Sequence, residues 1–593
     1  DGRAAFYRLL VGLIVSLSIF LILPFRWSGL SYFSDWPQAY LEYAKTYLHP
    51  DRQAWFINVP AYALRFGADR LGWLPGLQIG LGSLMSLGVI GLWKRFVGRK
   101  RSLPLVGVLS LKLCLLFYVI FHLTPFQDFF IIVSVLSIVL FWQIASPAFR
   151  GQSFSEAVSL LRLQLSSGQR KNLLLAASLL LLVTLEVLCN TRFISAPFTA
   201  NFRWASALYF AAGLGIVALI LIRPAEVRLP ALLPRPNAQG VSWFKWGMAL
   251  VIGFFFLRAG DWILTAHPLT IDDADMLPIL REQARRFLQG EDVYAIMPGV
   301  WKGNMRPIYM PGFWAPFVPF EWAGVDIRWA TLVILTISLG LIIWQLPLRR
   351  RNQSVFVLLA MVPLVLLYEA IWIGEGGIIR LAEEGIIMGY YVLLGSAVYR
   401  RWPILVGVAI ALCCLSRFAL VPWMGFYLLY VFFFESRRHA IISAGVAGAI
   451  GLFCFLIPYG FELWDYFFNH PHRYQKFAEN TWEVNQEFYA NTLGLAKYLS
   501  QSLVRYQHRA HIILSFSAPA TLLLVYWRTR HRWAWHQDFV ALAMLKLTLV
   551  IFYNFIVMPV FYLFFVNTIL SCLILFAYLG KVLRLDDWAG TVN

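Results

Sequence analysis

Three carboxylates stand close together between two long apolar runs: Asp272, Asp273 and Asp275, in the segment Ile271-Asp-Asp-Ala-Asp-Met276. A short amphipathic stretch follows, then Gly290-Glu-Asp-Val-Tyr294 and Tyr309-Met-Pro311. If a helix begins just after Asp275, its partial positive end stabilises the acids. Their mutual repulsion works the other way and raises the pKa of one of them towards neutrality. A carboxylate in that state can take a proton from an alcohol. Ordinary helix capping by Asp uses the same residue type at the same place, so on chemistry alone base and cap both stand.

Other side chains could share such a site. Arg417 follows Ser416 near one end of an apolar run. An arginine there is costly without a partner and reads as functional by default, although snorkelling to the headgroups accounts for it too. Glu375, Arg380, Glu383 and Glu384 cluster after another run; they could bind sugar hydroxyls or form a solvated turn. His470-Pro-His472-Arg473 has the wrong spacing for a helical metal site, and phosphate contact by His472 and Arg473 is the better use of it. No metal and no cofactor is expected. Arg258 and Asp261, three apart, fit an intrahelical ion pair. Glu186 lies inside an apolar run and needs a proton or a partner.

The elements that must position these groups are membrane helices. The chain of 593 residues is 60% hydrophobic and 14% charged, with mean hydropathy +0.66; a soluble domain carries about 25% charged residues. Apolar runs long enough to cross a core of roughly 30 Å recur throughout. They predict an all-α polytopic membrane protein of about sixteen transmembrane helices, starting near residues 6, 75, 104, 128, 172, 204, 246, 328, 355, 385, 403, 422, 439, 510, 538 and 559. The net charge of +19 is spread over the ends of these runs, as cytoplasmic loops require. It is not gathered into a nucleic-acid surface. With the N-terminus cytoplasmic, the loops 25–74, 265–327 and 459–508 lie outside. Their Trp, Tyr and Pro suit short interfacial helices lying on the bilayer. The six cysteines lie in or beside apolar runs and show no C-x-x-C spacing, so they read as small buried hydrophobes.

Residues 1–245 form an N-terminal region of six spans, and 246–593 a C-terminal domain carrying the outer loops 265–327 and 459–508. The first region could be a degenerate copy of the second. Asp35, Tyr40, Ala44, Tyr47 and Leu48 recur, each 240 positions later, as Asp275, Leu280, Ala284, Phe287 and Leu288. The apolar members make a helical stripe, which any surface helix would also show.

Asp275, Gly290, Tyr294 and Tyr309-Met-Pro311 together resemble the first luminal loop of GT-C fold glycosyltransferases. The likeness is to the polyprenyl-phosphate-mannose-dependent, PimE-like alpha-mannosyltransferase family, over about residues 246–580. Met276 replaces an aromatic of the family pattern. Glu384-Gly-Ile-Ile-Met388 lacks the family's Gln/Asn pair, while Gly407 to Pro422, with Ser416 and Arg417, and Asn485 to Gly494, with Asn491 and Thr492, are similar to later family segments. The resemblance implies inverting transfer of a sugar from a polyprenyl-phosphate carrier to a lipid or glycan hydroxyl on the outer face. Asp275 would be the general base, with Asp272 or Asp273 orienting the acceptor. Arg417, then Arg306 and Lys302, would hold the leaving phosphate. Tyr294, Tyr309, Glu384 and Asn491 would line the substrate site. Membrane lipids are the remaining expected partners, and the bacterial plasma membrane the expected location.

Two other functions compete. Many spans and a possible repeat suit a transporter or flippase. The missing Gln/Asn pair suits a non-catalytic scaffold subunit of a larger complex.

Overall fold

In the computed structural model, two compact units divide at residues 167/168. The residues described lie almost wholly in the second: 167–195, 202–224, scattered positions in 253–269 and 362–370, 276–300, 303–307, 309–345, 377–380, 382–460, 493–495, 501–556 and 561–582. The expected spans near 6, 75, 104 and 128, and Asp35 with its stripe, fall outside them.

The described part is mainly helical. In chain order it comprises α1 (Ser167–Ser195), α2 (Phe202–Leu221), α3 (Met276–Gln289), a small hairpin of β1 (Met297–Val300) and β2 (Gly303–Met305), the short α4 (Pro311–Trp314) and α5 (Val318–Trp322), α6 (Trp329–Gln345), α7 (Glu384–Arg400), α8 (Pro403–Cys414), α9 (Val421–Tyr430), α10 (Arg437–Gly451), α11 (Gln501–Thr529), α12 (Val540–Phe555) and α13 (Phe561–Val582). Among the described residues five helical stretches are long and apolar enough to cross a membrane: Phe418–Glu435, Arg437–Gly460, Arg509–Thr529, Gln537–Phe555 and Tyr562–Lys581. Shorter apolar helices cover Leu174–Asn190, Ala205–Leu221, Trp329–Gln345 and Pro403–Cys414. The starts expected near 172, 204, 328, 385, 403, 422, 439, 510, 538 and 559 each fall in or beside one of the helices above.

Helix α13 is the axis of the bundle. It is apolar on every side, and residues 563–580 are all buried, as all-round hydrophobicity demands. Its few polar residues, Asn567, Thr568 and Ser571, lie together on one stripe. Helix α6 lies close against α7 because Gly385 leaves room for Thr331 and Leu335. That contact sets the height of the neighbouring Glu384.

The helices alternate so that charge segregates. Lys581, on the last turn of α13, pairs with Asp538 at the head of α12 at 3.4 Å, and Asp538 also takes Arg401, past the end of α7, at 2.9 Å. Arg400 reaches Gln345 at the end of α6, and Lys171 of α1 donates to the Arg223 carbonyl after α2. Arg437 and Arg438 lead α10, and Arg528, Arg530 and Arg532 close α11. All these cations therefore share one end of the bundle. The loop that carries α3 to α5, and the Ser416–Arg417 turn, occupy the other.

The cysteines divide. Cys189, Cys413 and Cys572 are buried as expected, whereas Cys454 is exposed just past α10, in the apolar stretch Arg437–Gly460. A thiol facing outward on an apolar span meets the same medium as its Leu and Phe neighbours.

Candidate functional site

Helix α3 forms where the amphipathic pattern predicts it. Its buried face is Leu277, Ile279, Leu280, Gln283 and Ala284, with Arg286. The expected stripe is partly corrected. Leu280 and Ala284 are buried, but Phe287 is 50% and Leu288 40% exposed. Phe287 instead leans on Trp314 of α4, ring centroids 5.2 Å apart. Three further ties hold α3 in the loop. Arg281 pairs with Glu321 of α5 at 2.9 Å. Arg286 donates to the Ala295 carbonyl at 2.7 Å. Glu282 accepts from Arg285 and Arg286, and the Arg285 hydrogen bond, ahead of burial, holds its carboxyl below the usual range.

The helix stops at Gly290, where φ is +70°, a left-handed end that glycine adopts without strain. Asp292 then accepts from the Tyr294 amide at 2.9 Å, an Asx turn that points the tyrosine inward. Tyr294 is buried; its hydroxyl accepts from Trp314 Nε1 at 3.2 Å and its ring meets Tyr459 edge-on at 5.0 Å. Burial pushes its phenol well above the usual value. Tyr309 is half-buried against Ile279 and Met297, and its carbonyl accepts from Gln283. Both tyrosines thus brace the loop. The exposed Arg306 does so as well, through Nε to the Tyr294 carbonyl at 3.2 Å.

The end of this loop docks on the turn that carries Arg417. The Gly312 amide donates to the Leu415 carbonyl at 2.8 Å. A Cβ at Gly312 would stand 2.7 Å from that carbonyl, so only glycine allows the approach. The Tyr390 hydroxyl donates to the Gly312 carbonyl at 2.9 Å and holds the next peptide of the same glycine from α7. Phe313 then lies beneath Arg417, its ring centroid 5.4 Å from the guanidinium carbon.

Arg417 has the partner its position demands. Its Nη2 contacts Glu384 directly and Glu383 at 3.4 Å. Both carboxylates are fully buried, while the arginine side chain is 22% exposed. Two acids facing one guanidinium leave the three groups with a net negative charge when all are ionised. Glu384 Oε2 and Arg417 Nε have no hydrogen-bond partner among the described residues, nor does the nearby Tyr553 hydroxyl. A buried polar atom in that condition is costly, and at the mouth of a bundle it is a place for a ligand atom.

Asp272, Asp273, Asp275, Lys302, His472, Arg473 and Asn491 lie outside the described residues, as do Arg258 and Glu375. Met276, directly after Asp275, takes a long contact from the Tyr562 hydroxyl at 3.9 Å. Tyr562 opens α13 and Tyr553, in the field of Arg417, closes α12. The head of α3 therefore lies by the start of α13, and Arg417 near the end of α12. Among the described residues no cluster of His, Cys, Asp and Glu could hold a metal ion.

Two features escape a reading of the sequence. Arg328, only 1% exposed, is held by Asp326 at 2.6 Å and donates to the His267 and Leu264 carbonyls. It ties down carbonyls at 264 and 267, ahead of the loop that carries α3. Glu186 finds its partner in Lys546, at 2.7 Å, with Ser571 at 2.6 Å. Asn567 accepts from Lys546 and donates to the Tyr209 hydroxyl, which also meets Thr568 at 3.0 Å. An acid inside an apolar run signals that a partner exists but not where.

Comparison with family models, characterised proteins and solved structures finds no match to this chain.

Proposed function

We propose that this chain is an integral membrane glycosyltransferase. It would move a mannose-like sugar, with inversion, from a polyprenyl-phosphate carrier to a lipid or glycan hydroxyl at the outer face. The reading includes about sixteen spans of GT-C type, an N-terminus on the cytoplasmic side and a bacterial plasma membrane. The basic end of the bundle would then be the inner end.

One observation carries the proposal. The loop that begins at Asp275 is docked by Gly312 and Phe313 onto the turn holding Arg417. A base just before α3 and a phosphate-binding cation at Arg417, supplied by distant parts of the chain, would then work at one end of the bundle. The partly exposed guanidinium faces outward over an aromatic ring, with buried carboxylates behind it. An incoming donor phosphate would compete with Glu384 for Arg417. Once released, the Glu384 carboxylate would lose its counter-charge and become the stronger hydrogen-bond acceptor for sugar hydroxyls. Asp275, at the head of α3, would take the proton of the acceptor alcohol.

The test is transfer from a synthetic polyprenyl-phosphate sugar by purified protein in nanodiscs, comparing wild type with Asp275→Asn. Loss of transfer with an unchanged melting transition supports the reading. Full transfer by the variant removes Asp275 from the mechanism.

A specific observation favours a second reading. Lys546 sits midway along Gln537–Phe555 and is fully buried against Glu186. Ionisable pairs at such depth are typical of transport pathways. Solute uptake into vesicles lacking any lipid-linked sugar, lost in Glu186→Gln, would support a transporter over a transferase.

A further inference from the structure

A cavity lies away from Arg417, at the basic end. It encloses about 370 Å³ where Phe418–Glu435 ends, α10 begins and α11 ends. Arg417 precedes the first of these helices and Glu435 closes it, so roughly 25 Å of helix separates the two places. The cavity is independent of sugar transfer and belongs to the opposite membrane surface.

Its lining is cationic where it is not already neutralised. Glu435 faces Arg401 at 3.6 Å, and Arg401 also holds Asp538, so this acid and this arginine answer each other. Arg530 has no acidic partner among the described residues. Its Nε donates to His531 Nε2 at 3.0 Å, which leaves the imidazole proton on Nδ1. Its guanidinium carbon lies 4.8 Å from the Phe434 ring centroid, and that ring holds the fork flat. The terminal nitrogens of Arg530 are thus positioned but not engaged among the described residues. The second imidazole facing the cavity, His439, is turned to the Tyr427 hydroxyl at 3.4 Å. Outside the mouth, Arg437, Arg438, Arg528 and Arg532 are exposed and add a positive field.

A flat, stacked guanidinium with a neighbouring N–H suits an oxygen-rich tetrahedral anion, which it grips through two parallel hydrogen bonds. The volume exceeds that of a bare anion and accommodates a substituted one. Basic pockets between helices at a membrane surface are where phosphate headgroups settle. We infer that this cavity is a binding site for a phosphate-bearing anion, gripped by Arg530 and His531. The same chemistry is offered by an anionic phospholipid headgroup and by a soluble phosphate.

The experiment uses the full chain in nanodiscs and two probes. In the first arm, phosphatidylcholine discs contain a minor share of phosphatidylglycerol, and co-purifying lipid is counted by native mass spectrometry. In the second, inorganic phosphate is titrated against protein in pure phosphatidylcholine discs and the melting temperature is followed. Arg530→Gln should lose retained phosphatidylglycerol by about tenfold if the source is lipid, or flatten the phosphate response if it is soluble. The exposed Arg528→Gln should do neither. If Arg530→Gln does not fold, His531→Gln serves in its place with the same expectation, at a loss of about threefold. Equal behaviour of wild type and the cavity variant towards both probes overturns the inference, as does an equal loss in Arg528→Gln, which would make the attraction a property of the whole basic rim.

Discussion

Lys546 Nζ stands 2.7 Å from Glu186 Oε1 across 360 residues of chain, and neither side chain has any exposed surface. Such a pair is weak evidence of net stability, because both charges gave up water to form it. Breaking it is another matter. Lys546→Met leaves a buried carboxylate with Ser571 alone and should lower stability by about 3–5 kcal/mol. The paired change Glu186→Met with Lys546→Met should restore most of that loss. Thermal unfolding of the two variants in one detergent measures the difference, and a double variant no better than the single one would contradict it.

The Gly312 approach predicts a steric penalty with a functional readout. Gly312→Ala places a methyl against the Leu415 carbonyl and must push the loop off the Arg417 turn. A destabilisation of about 1–3 kcal/mol is expected. On the proposed function, sugar transfer should fall further than stability, since the α3 loop and Arg417 would no longer share a frame. Activity measured at fully folded protein separates the two effects.

Arg417 and Glu384 should be coupled unequally. Arg417→Met strands two buried acids and should cost about 3–5 kcal/mol. Glu384→Gln keeps a hydrogen-bond acceptor for the guanidinium and leaves Glu383 to balance it. It should be milder for folding, and should tighten capture of an anionic donor by removing a competing charge. A donor titration on Glu384→Gln that shows weaker capture would argue that the carboxylate itself binds substrate.

Tyr294 braces the loop through Trp314. Tyr294→Phe removes the acceptor of the indole N–H and leaves that donor buried, at a cost of about 1–2 kcal/mol. The melting transition should drop with little change in affinity for donor lipid. A selective loss of affinity would give Tyr294 a part in binding.

His536 supplies a pH dependence on the opposite side. Burial, ahead of the flanking Lys581 and Arg223 and against the pull of Asp538, lowers its pKa to about 4. An unfolded histidine titrates near 6.5. The unfolded chain therefore takes up the proton first. The stabilising contribution is complete above about pH 6.5 and drains away as pH falls towards 4, by on the order of 3 kcal/mol. Melting curves between pH 7.5 and 4.5 should decline more steeply in wild type than in His536→Gln.

Much of this architecture is legible locally. Apolar runs mark the described helices, because a span must be apolar along its length. The stripe after Asp275 marks α3, and Gly290 marks its end. Arg417 at the end of an apolar run announces an unseen partner. What stays hidden is pairing over distance. Glu383 and Glu384 read equally as a solvated turn until the chain folds Arg417 onto them. Lys546 sits in a run whose periodicity gives no hint of Glu186. Phe287 belongs to the apolar stripe by spacing, yet packs sideways on Trp314, because the hairpin and α4 approach α3 from its flank.

Among the described residues, helix α13 is enclosed by segments that leave the ribosome before it. Until it enters, Lys546 and Glu186 face a vacant centre without Asn567 or Ser571, and the earlier spans have nothing to close around. Assembly in the bilayer must therefore wait for the latest of these helices. A chain halted short of residue 561 would display its unsatisfied charges to the quality-control machinery of the membrane rather than persist as a smaller bundle.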